Sequence, residues 1–314
     1  ASTLQGSELY VGGDFQGQGT LPAAQVVQID ENSVINASGV PLDASGLPSL
    51  PDSPIPPLAL AGRVIIWADD RTKFLGRLRN AAGFAEISGK NELDLGPLWF
   101  NRIQAQDLLI DPNDITIVAG SVEAIGSSPV NVNTLGATDI SNFLNTTGSL
   151  TIATTGTGGN GDITVNGDLN WSVNTLTLAA DRNININGNL TVNDTGLLHV
   201  AFGQATLDGS GASYTVADGA SLKIPLPTGD EAFSTSAFTW QKGSAGTLTQ
   251  LVFNNGYLSF GAVGSGAQNT PEAANTSAIN IRGSLTQPNY FDNVTSGRNG
   301  YYKRSEEHTS ELQS

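Results

Sequence analysis

The strongest candidates for catalytic residues in this chain are acidic side chains. Asp69 and Asp70 are adjacent, and Glu86 follows them closely. Two carboxyl groups, one protonated and one ionised, can together catalyse the hydrolysis of a glycosidic bond. Neighbouring residues of an extended strand point to opposite faces, so Asp69 and Asp70 would not face one substrate together. We therefore expect these acids at turns or strand edges. A carbohydrate-cutting site would need acids from neighbouring turns of the chain, converging with a Lys or Arg in a groove.

Histidine and a glycine-rich segment supply the remaining candidates. His199 stands between Leu198 and Val200 in an alternating pattern, which predicts an outward-facing strand residue rather than a base or ligand. Residues 158–162, Gly-Gly-Asn-Gly-Asp, nearly match a calcium-binding nonapeptide repeat, but the Asp comes one position early and the motif occurs once. We predict a turn there, and weak Ca²⁺ binding by such Asp-rich loops is left open. The sequence thus predicts no catalytic, cofactor-binding or metal-ligating residues, and a protein that is not an enzyme.

The composition argues against several kinds of partner. The net charge is −15, and such a surface repels the phosphates of nucleic acids and of anionic lipid. No apolar run reaches the roughly 18 residues of a membrane helix, so we expect no membrane insertion. The chain has no Cys, which excludes disulfides and thiolate chemistry. Charged residues are only 14% of the chain and Gly numbers 37, which suits a narrow apolar core with many turns.

A repeated segment carries the main structural signal. Ile163-Thr-Val-Asn-Gly-Asp-Leu169 returns as Ile184-Asn-Ile-Asn-Gly-Asn-Leu190, and a third copy spans residues 279–285. Each copy is a short alternating strand, a Gly turn and the start of another strand. At the spacing of the first two copies, the pattern is typical of an all-β parallel solenoid, in which one coil of the chain stacks on the next.

Short alternating runs extend along most of the chain. They are clearest in residues 148–200 and become less regular afterwards. Prolines cluster in residues 40–60 and predict a loop or an excursion, because Pro cannot donate to a strand ladder. Residues 111–114, Asp-Pro-Asn-Asp, predict a turn between two strands. Residues 139–145 predict one short helical turn that begins at an Asp cap.

Both ends of the chain are expected to be atypical. The sequence begins at Ala1 and contains neither Met nor a signal peptide, which favours an internal or processed fragment. Residues 304–314 are the in-frame translation of a widely used short-read sequencing adapter. We expect this tail to be foreign to the natural protein and to contact nothing. Without it, His199 is the one remaining histidine, so a His-based metal site is not expected. The predicted fold is then a single β-helical unit over residues 1–303.

Several segments resemble one family. Residues 161–172, Gly-Asp-Ile-Thr-Val-Asn-Gly-Asp-Leu-Asn-Trp-Ser, and residues 176–187 resemble the repeating strands of filamentous-haemagglutinin-like exoproteins. Residues 62–76, Gly-Arg-Val-Ile-Ile-Trp-Ala-Asp-Asp-Arg-Thr-Lys-Phe-Leu-Gly, are similar to that family, as are residues 83–90 and 108–117. The resemblance covers much of residues 9–200. The chain departs from the family in lacking an Asn-Pro-Asn-Gly type motif and in its Pro-rich segment.

The resemblance implies a right-handed parallel β-helix that is secreted or displayed on the surface of a Gram-negative bacterium. It implies export through an outer-membrane transporter of a two-partner system. It also implies non-catalytic attachment to a receptor or glycan on a host or neighbouring cell. Two alternatives remain open: a carbohydrate-active β-helical enzyme, and a passive stalk that carries a distal toxin or binding domain.

Overall fold

The computed structural model describes most of the chain up to Ile224. The described ranges are 2–38, 61–122, 132–155, 158–203, 214–217 and 220–224, followed by five short strands farther along the chain. The Pro-rich segment 40–60 and the tail 304–314 lie outside the described residues, so the expectations for both stay predictions.

Short strands dominate the described chain, because β-branched residues at alternate positions favour extended backbone. In chain order they are β1 (Thr3–Gln5), β2 (Glu8–Val11), β3 (Val26–Ile29), β4 (Val34–Asn36), β5 (Arg63–Ala68), β6 (Arg71–Phe74), β7 (Arg77–Gly89), β8 (Glu92–Asp94), β9 (Ile103–Ile110), β10 (Ile115–Val118), β11 (Thr134–Gly136), β12 (Ser149–Ala153), β13 (Ile163–Val165), β14 (Leu169–Trp171), β15 (Thr175–Ala179), β16 (Ile184–Ile186), β17 (Leu190–Val192), β18 (Leu197–Phe202), β19 (Tyr214–Val216), β20 (Ser221–Ile224), β21 (Phe238–Lys242), β22 (Gln250–Phe253), β23 (Tyr257–Phe260), β24 (Ala278–Asn280) and β25 (Asn293–Val294). One α-helix, α1 (Ala137–Thr146), and two 3-10 turns, Phe15–Gly17 and Trp99–Asn101, accompany them.

Within the described residues the strands form four sheets of ten, eight, four and three strands. Along the largest sheet the order is β1-β4-β7-β9-β12-β15-β18-β21, with β2 and β5 joined beside β7. The eight-stranded sheet runs β11-β10-β13-β16-β19-β22-β24-β25, the four-stranded sheet β14-β17-β20-β23, and the three-stranded sheet β3-β6-β8. Strands that pair in a sheet are mostly not consecutive in the sequence. After leaving one sheet, the chain therefore contributes strands to other sheets before it returns to the first. The protein is therefore an all-β protein built from parallel sheets, as predicted.

The strand registers reproduce the sequence repeat. Ile163 pairs with Ile184 in the eight-stranded sheet, and Leu169 pairs with Leu190 in the four-stranded sheet, so each residue lies beside its own copy. Both pairings are parallel, and equivalent side chains therefore point the same way. The strands predicted for residues 148–200 are confirmed as β12 to β18.

Within the described residues, one hydrophobic cluster, mostly aliphatic, joins the inward faces of the sheets. It runs from Leu9 to Leu222 and contains the paired isoleucines and leucines of the repeat. In each short strand of the repeat the two flanking residues are buried and the middle residue is more exposed, as in Ile184-Asn185-Ile186. One three-residue strand buries too little apolar surface to offset its own conformational entropy, so its order depends on the neighbouring strands.

Helix α1 is longer than the sequence predicts and begins differently. It spans ten residues after Gly136, and Asp139 lies inside the first turn instead of capping it. The Asp139 carboxylate accepts the backbone N–H of Val122 at 3.2 Å. Phe143 packs on Trp99 with ring centroids 5.3 Å apart, and this burial stabilises a segment whose Thr and Asn content disfavours helix. Within the described residues, no helix has the length and apolarity to cross a membrane.

The third copy of the repeat does not continue the parallel stack. Its strand β24 pairs antiparallel with β22, placing Ile279 opposite Leu251, and antiparallel with β25. The prediction of an equivalent parallel coil at this segment is therefore wrong. Alternation of apolar and polar residues reads the same in both chain directions, so it does not specify whether a strand pairs parallel or antiparallel.

The paired isoleucines should be far more sensitive to truncation than their outward neighbour. We expect Ile184→Ala to lower the free energy of unfolding by about 2–5 kcal/mol, because Ile184 is fully buried and leaves a cavity. Asn185→Ala, the matched control on the same strand, should change it by less than about 0.5 kcal/mol. Urea unfolding followed by circular dichroism measures both. Equal effects of the two substitutions would contradict the assigned inward face.

Candidate functional site

Residues 12–21, which we call the strap, leave the end of β2 and lie against the outward face of the ten-stranded sheet. Trp67 on β5 is only 3% exposed although it is not part of the aliphatic core cluster. Gly12 has φ +83°, and a Cβ there would lie 2.3 Å from the Trp67 carbonyl oxygen. Gly17 has φ +64°, and a Cβ there would lie 2.7 Å from the indole Nε1. Only glycine permits this close contact between strap and sheet.

The strap covers two carboxyl groups. Glu86 lies in the middle of β7, and Asp111 directly follows β9, the neighbouring strand. Glu86 is paired with Leu109, so Asp111 lies two residues farther on and its side chain shares the outward face. Both acids are 0% exposed. Parallel pairing of β7 with β9 therefore brings together two acids that lie 25 residues apart in the sequence.

Gln16 of the strap contacts both acids. Its backbone N–H donates to the two Glu86 carboxyl oxygens at 3.1 and 3.2 Å, and its side-chain Nε2 donates to Asp111 Oδ2 at 3.1 Å. Gln16 has φ 50°, in the left-handed region that disfavours residues with a side chain. One residue in an uncommon conformation thus joins the strap to both carboxyl groups.

An aromatic and cationic contact adjoins the acids. Phe15 of the strap meets Phe84 of β7 edge-on, with ring centroids 5.9 Å apart. The guanidinium carbon of Arg63 lies 5.0 Å from the Phe15 ring centroid and 5.1 Å from that of Phe84, within cation–π distance. This contact fixes the strap next to Gln16 and places a positive charge near Glu86.

Burial is the main cause of the raised pKa values of these two carboxyl groups. It raises the pKa of Glu86 to about 7, with a smaller contribution from the charge of Asp111, while the Gln16 N–H, the Ser88 side chain and Arg63 oppose the rise. Burial also raises the pKa of Asp111 to about 6, helped by the charge of Asp181 and opposed by the Gln16 hydrogen bond. A carboxyl group that titrates near neutrality could transfer protons. Both are sealed beneath the strap, however, so no substrate reaches them while it is closed.

Of the three acids that the sequence analysis considered, two lie at the predicted kind of position and one does not. Asp69 and Asp70 lie in a bend after β5 and have separate partners: Asp69 Oδ1 accepts from the Trp67 indole N–H at 3.1 Å, and Asp70 Oδ1 accepts from Asn91 at 2.9 Å. The predicted position of these two acids at a turn is confirmed. Glu86 is a correction, because it lies inside a strand with β5 and β9 on either side instead of at a turn or edge.

The sequence did not reveal that Glu86 and Asp111 share a site. Alternation with Ala85 and Ile87 already placed Glu86 on the outward face, where an acid normally meets water. Asp111 was predicted to be a turn residue, and it lies between β9 and β10. The covering strap comes from a segment about 70 residues before Glu86, and no local pattern signals that contact.

His199 lies as predicted on an outward strand position. Its neighbours Leu198 and Val200 are each 1% exposed and belong to the core, while His199 itself is half-buried. Partial burial lowers its pKa. Across the described part of the chain, no group of three or more His, Asp or Glu residues gathers in a way that could hold a metal ion.

The loop that resembles a calcium-binding repeat is held by other contacts. The Asp114 carboxylate accepts the backbone N–H of Asn160 at 3.0 Å and of Asp162 at 2.9 Å. Asp162 in turn accepts two hydrogen bonds from the Arg182 guanidinium, at 2.7 and 2.8 Å. These donors occupy the oxygens that a cation would need, which favours the predicted turn.

Outward polar side chains form rows across the stacked strands. Asn187 donates to Asn166 at 2.8 Å across 21 residues, and Asn193 donates to Asn170 at 2.6 Å across 23 residues. Another row joins Asp70, Asn91 and Asn113 with bonds of 2.9 and 2.8 Å. We call these rows the polar ladders. They place amide and carboxylate groups of neighbouring strands side by side on the outside of the stack.

No protein-family model matches this chain, and no curated protein matches it. The resemblance to filamentous-haemagglutinin-like exoproteins therefore stays a prediction that rests on the segments quoted above.

Calcium should have no stabilising effect on the turn at residues 158–162. We expect about 1 mM Ca²⁺ to leave the thermal midpoint unchanged, because Asp114 and Asp162 already accept hydrogen bonds. Asp114→Ala should lower stability by about 1 kcal/mol, because two loop amides lose their acceptor. Glu31→Ala, an exposed acid elsewhere, is the control. A Ca²⁺-dependent rise in the midpoint that Asp114→Ala abolishes would instead establish a cation site.

Proposed function

We propose that the parallel sheets belong to a right-handed β-helix, in which each coil of about 21 residues, the offset between Asn166 and Asn187, stacks on the one before it. Two observations support this fold: the registers that match the sequence repeat in separate sheets, and the single core cluster that those sheets share. Adjacent coils would lie about 4.8 Å apart, so the eight successive strands along the ten-stranded sheet would span a rod on the order of 35 Å long.

The function that this architecture favours is attachment: a secreted or surface-displayed, adhesin-like rod that binds a receptor or glycan on a host or neighbouring cell. The polar ladders carry the proposal, because they place paired amides at equivalent positions of neighbouring strands on the outside of the stack, where an extended partner could contact them together. Regular hydrogen-bonding groups suit an extended, multivalent contact better than capture of one small molecule.

Export through an outer-membrane two-partner transporter of a Gram-negative bacterium is part of the same proposal. It is supported by the resemblance of residues 161–187 to filamentous-haemagglutinin-like exoproteins and by the lack of Cys. A stack of this kind gains its stability from coil-to-coil packing and needs no disulfides.

The carbohydrate-active alternative has weaker support. Glu86 and Asp111 lie on neighbouring strands, as such an enzyme would require, but both are 0% exposed and bound by Gln16. A polysaccharide needs an open groove to reach two carboxyl groups. The second alternative is a passive stalk that carries a distal domain. An attachment experiment distinguishes such a stalk from an adhesin.

Cysteine pairs offer a direct test of coil-on-coil stacking, because the chain has no Cys of its own. Thr164 pairs with Asn185, Asn170 with Thr191 and Thr177 with His199, one pair in each of three sheets. We expect each double Cys variant to form a disulfide on mild oxidation, since parallel neighbours lie within disulfide range. Thr164→Cys with Thr191→Cys, which joins two different sheets, should stay reduced. Non-reducing electrophoresis reads both results, and failure of the matched pairs would contradict the β-helix.

Attachment can be tested with the full chain on beads. We expect coated beads to bind epithelial or bacterial cells saturably, and free chain to compete for that binding, because the ligand surface lies on the rod itself. Chain carrying Ile184→Asp, which places a charge in the fully buried core, is the control and should bind less. Absence of competition by free folded chain would favour the stalk. Release of reducing ends from a polysaccharide panel would favour the enzyme.

A further inference from the structure

We propose that the strap is an acid-held latch, which stays closed over Glu86 and Asp111 while their carboxyl groups are protonated and lifts from the sheet as they ionise. The inference concerns residues 12–21 and the outward face of the ten-stranded sheet. It is independent of whether the rod is an adhesin.

The geometry beneath the strap disfavours two ionised acids. Glu86 and Asp111 are both fully buried, and both face the same residue, Gln16. Asp111 Oδ1 is buried and has no hydrogen-bond partner among the described residues. An ionised Asp111 would therefore hold negative charge on an oxygen that no donor compensates, next to a second carboxylate. Protonation removes both charges and leaves the Gln16 contacts in place.

The charged groups around the pair do not cancel this effect. Arg63 of β5 faces Glu86 and favours its ionised form, but its guanidinium is also engaged with Phe15 and Phe84. Asp181, which follows β15, adds negative charge near Asp111. Each acid also repels the charge of its neighbour. Burial remains the largest cause of the raised pKa of both groups, at about 7 for Glu86 and about 6 for Asp111.

The direction of the pH response follows from these values. Lifting the strap returns the carboxyl groups to water, where their ordinary pKa values are 4.5 and 3.8. The closed form binds protons more tightly than the open form, so closing is most favoured below those ordinary values. The preference falls as the pH rises through them and is lost once the pH exceeds about 7, the pKa of Glu86 in the closed form. Closure thus weakens toward neutral and alkaline pH.

The strap has the local features of a segment that can open. Gln16 holds a backbone conformation that favours glycine, and opening would relieve it. Gly17 to Thr20 are exposed, and two backbone hydrogen bonds, from Gly17 N–H to Asp14 and from Gln18 N–H to Phe15, are internal to the strap. The strap is attached to the sheet by the Gln16 contacts, by the aromatic pair and by the packing of its glycines on Trp67. Opening would uncover Ile65 and Trp67, an apolar face beside the two acids.

Hydrogen exchange with mass spectrometry on the full chain tests the latch. After correction for intrinsic exchange rates, we expect protection of residues 12–21 to fall on the order of 50- to 100-fold from about pH 5 to about pH 8, by the linkage of Glu86 alone. Peptides covering residues 184–192, which lie in the stack, should keep their protection at both pH values. The midpoint of the change should lie between the ordinary and the closed pKa of Glu86, 4.5 and about 7.

Neutral variants give the decisive comparison. Glu86→Gln and Asp111→Asn keep the shape of each side chain without its charge, so the double variant should hold the strap closed at both pH values. Asp107→Asn, an exposed acid on the same strand β9, is the matched control and should keep the wild-type response. Circular dichroism verifies that each variant is folded.

Two results would overturn the proposal. One is wild-type protection of residues 12–21 that does not change between the two pH values. The other is a folded double variant that keeps the full wild-type pH response. If the double variant does not fold, the wild-type titration alone decides: a midpoint outside the stated interval, or equal loss of protection at residues 184–192, would show general unfolding instead of a latch.

Discussion

Parallel pairing of equivalent residues is the constraint on which the rest of the structure depends. A strand of three residues leaves its own N–H and C=O groups unpaired, so it is stable only between two neighbours that take up those bonds. When the neighbours are copies of the same segment, Ile163 lies beside Ile184 and Leu169 beside Leu190. The aliphatic core and the outward rows are then consequences of one register, because a slip by one residue would exchange the buried and exposed faces.

The same register organises the polar surface. Amides at equivalent positions, such as Asn166 and Asn187, come close enough to bond to each other across neighbouring strands. Charged turns use a similar spacing, as in the Asp162–Arg182 contact across 20 residues. These contacts are exposed and individually weak, but each one requires the correct neighbour and so favours the correct register over a slipped one.

The strap interrupts the regular pattern of exposed outward side chains. Along β12 to β17 the outward strand positions are exposed or half-buried, whereas Glu86 and Asp111 are buried by a segment from a distant part of the chain. Buried acids cost stability unless they are neutral or well compensated. Their retention beneath a strap held by Gln16, one aromatic pair and glycine packing on Trp67 couples the outer surface of the protein to pH, without disturbing the core on the other face of the sheet.

Local patterns in the amino-acid sequence are enough to predict the strands of residues 148–200, their buried residues, the outward position of His199 and the turn at residues 111–114. The strands and the position of His199 depend on a two-residue period that a short segment displays, and the turn depends on its own Asp, Pro and Asn residues. The antiparallel pairing of Ala278–Asn280, the full length of Ala137–Thr146 and the cover over Glu86 and Asp111 are set by long-range packing. Each of these depends on a contact between segments far apart in sequence, and a side-chain pattern specifies which face is buried but not which distant segment buries it.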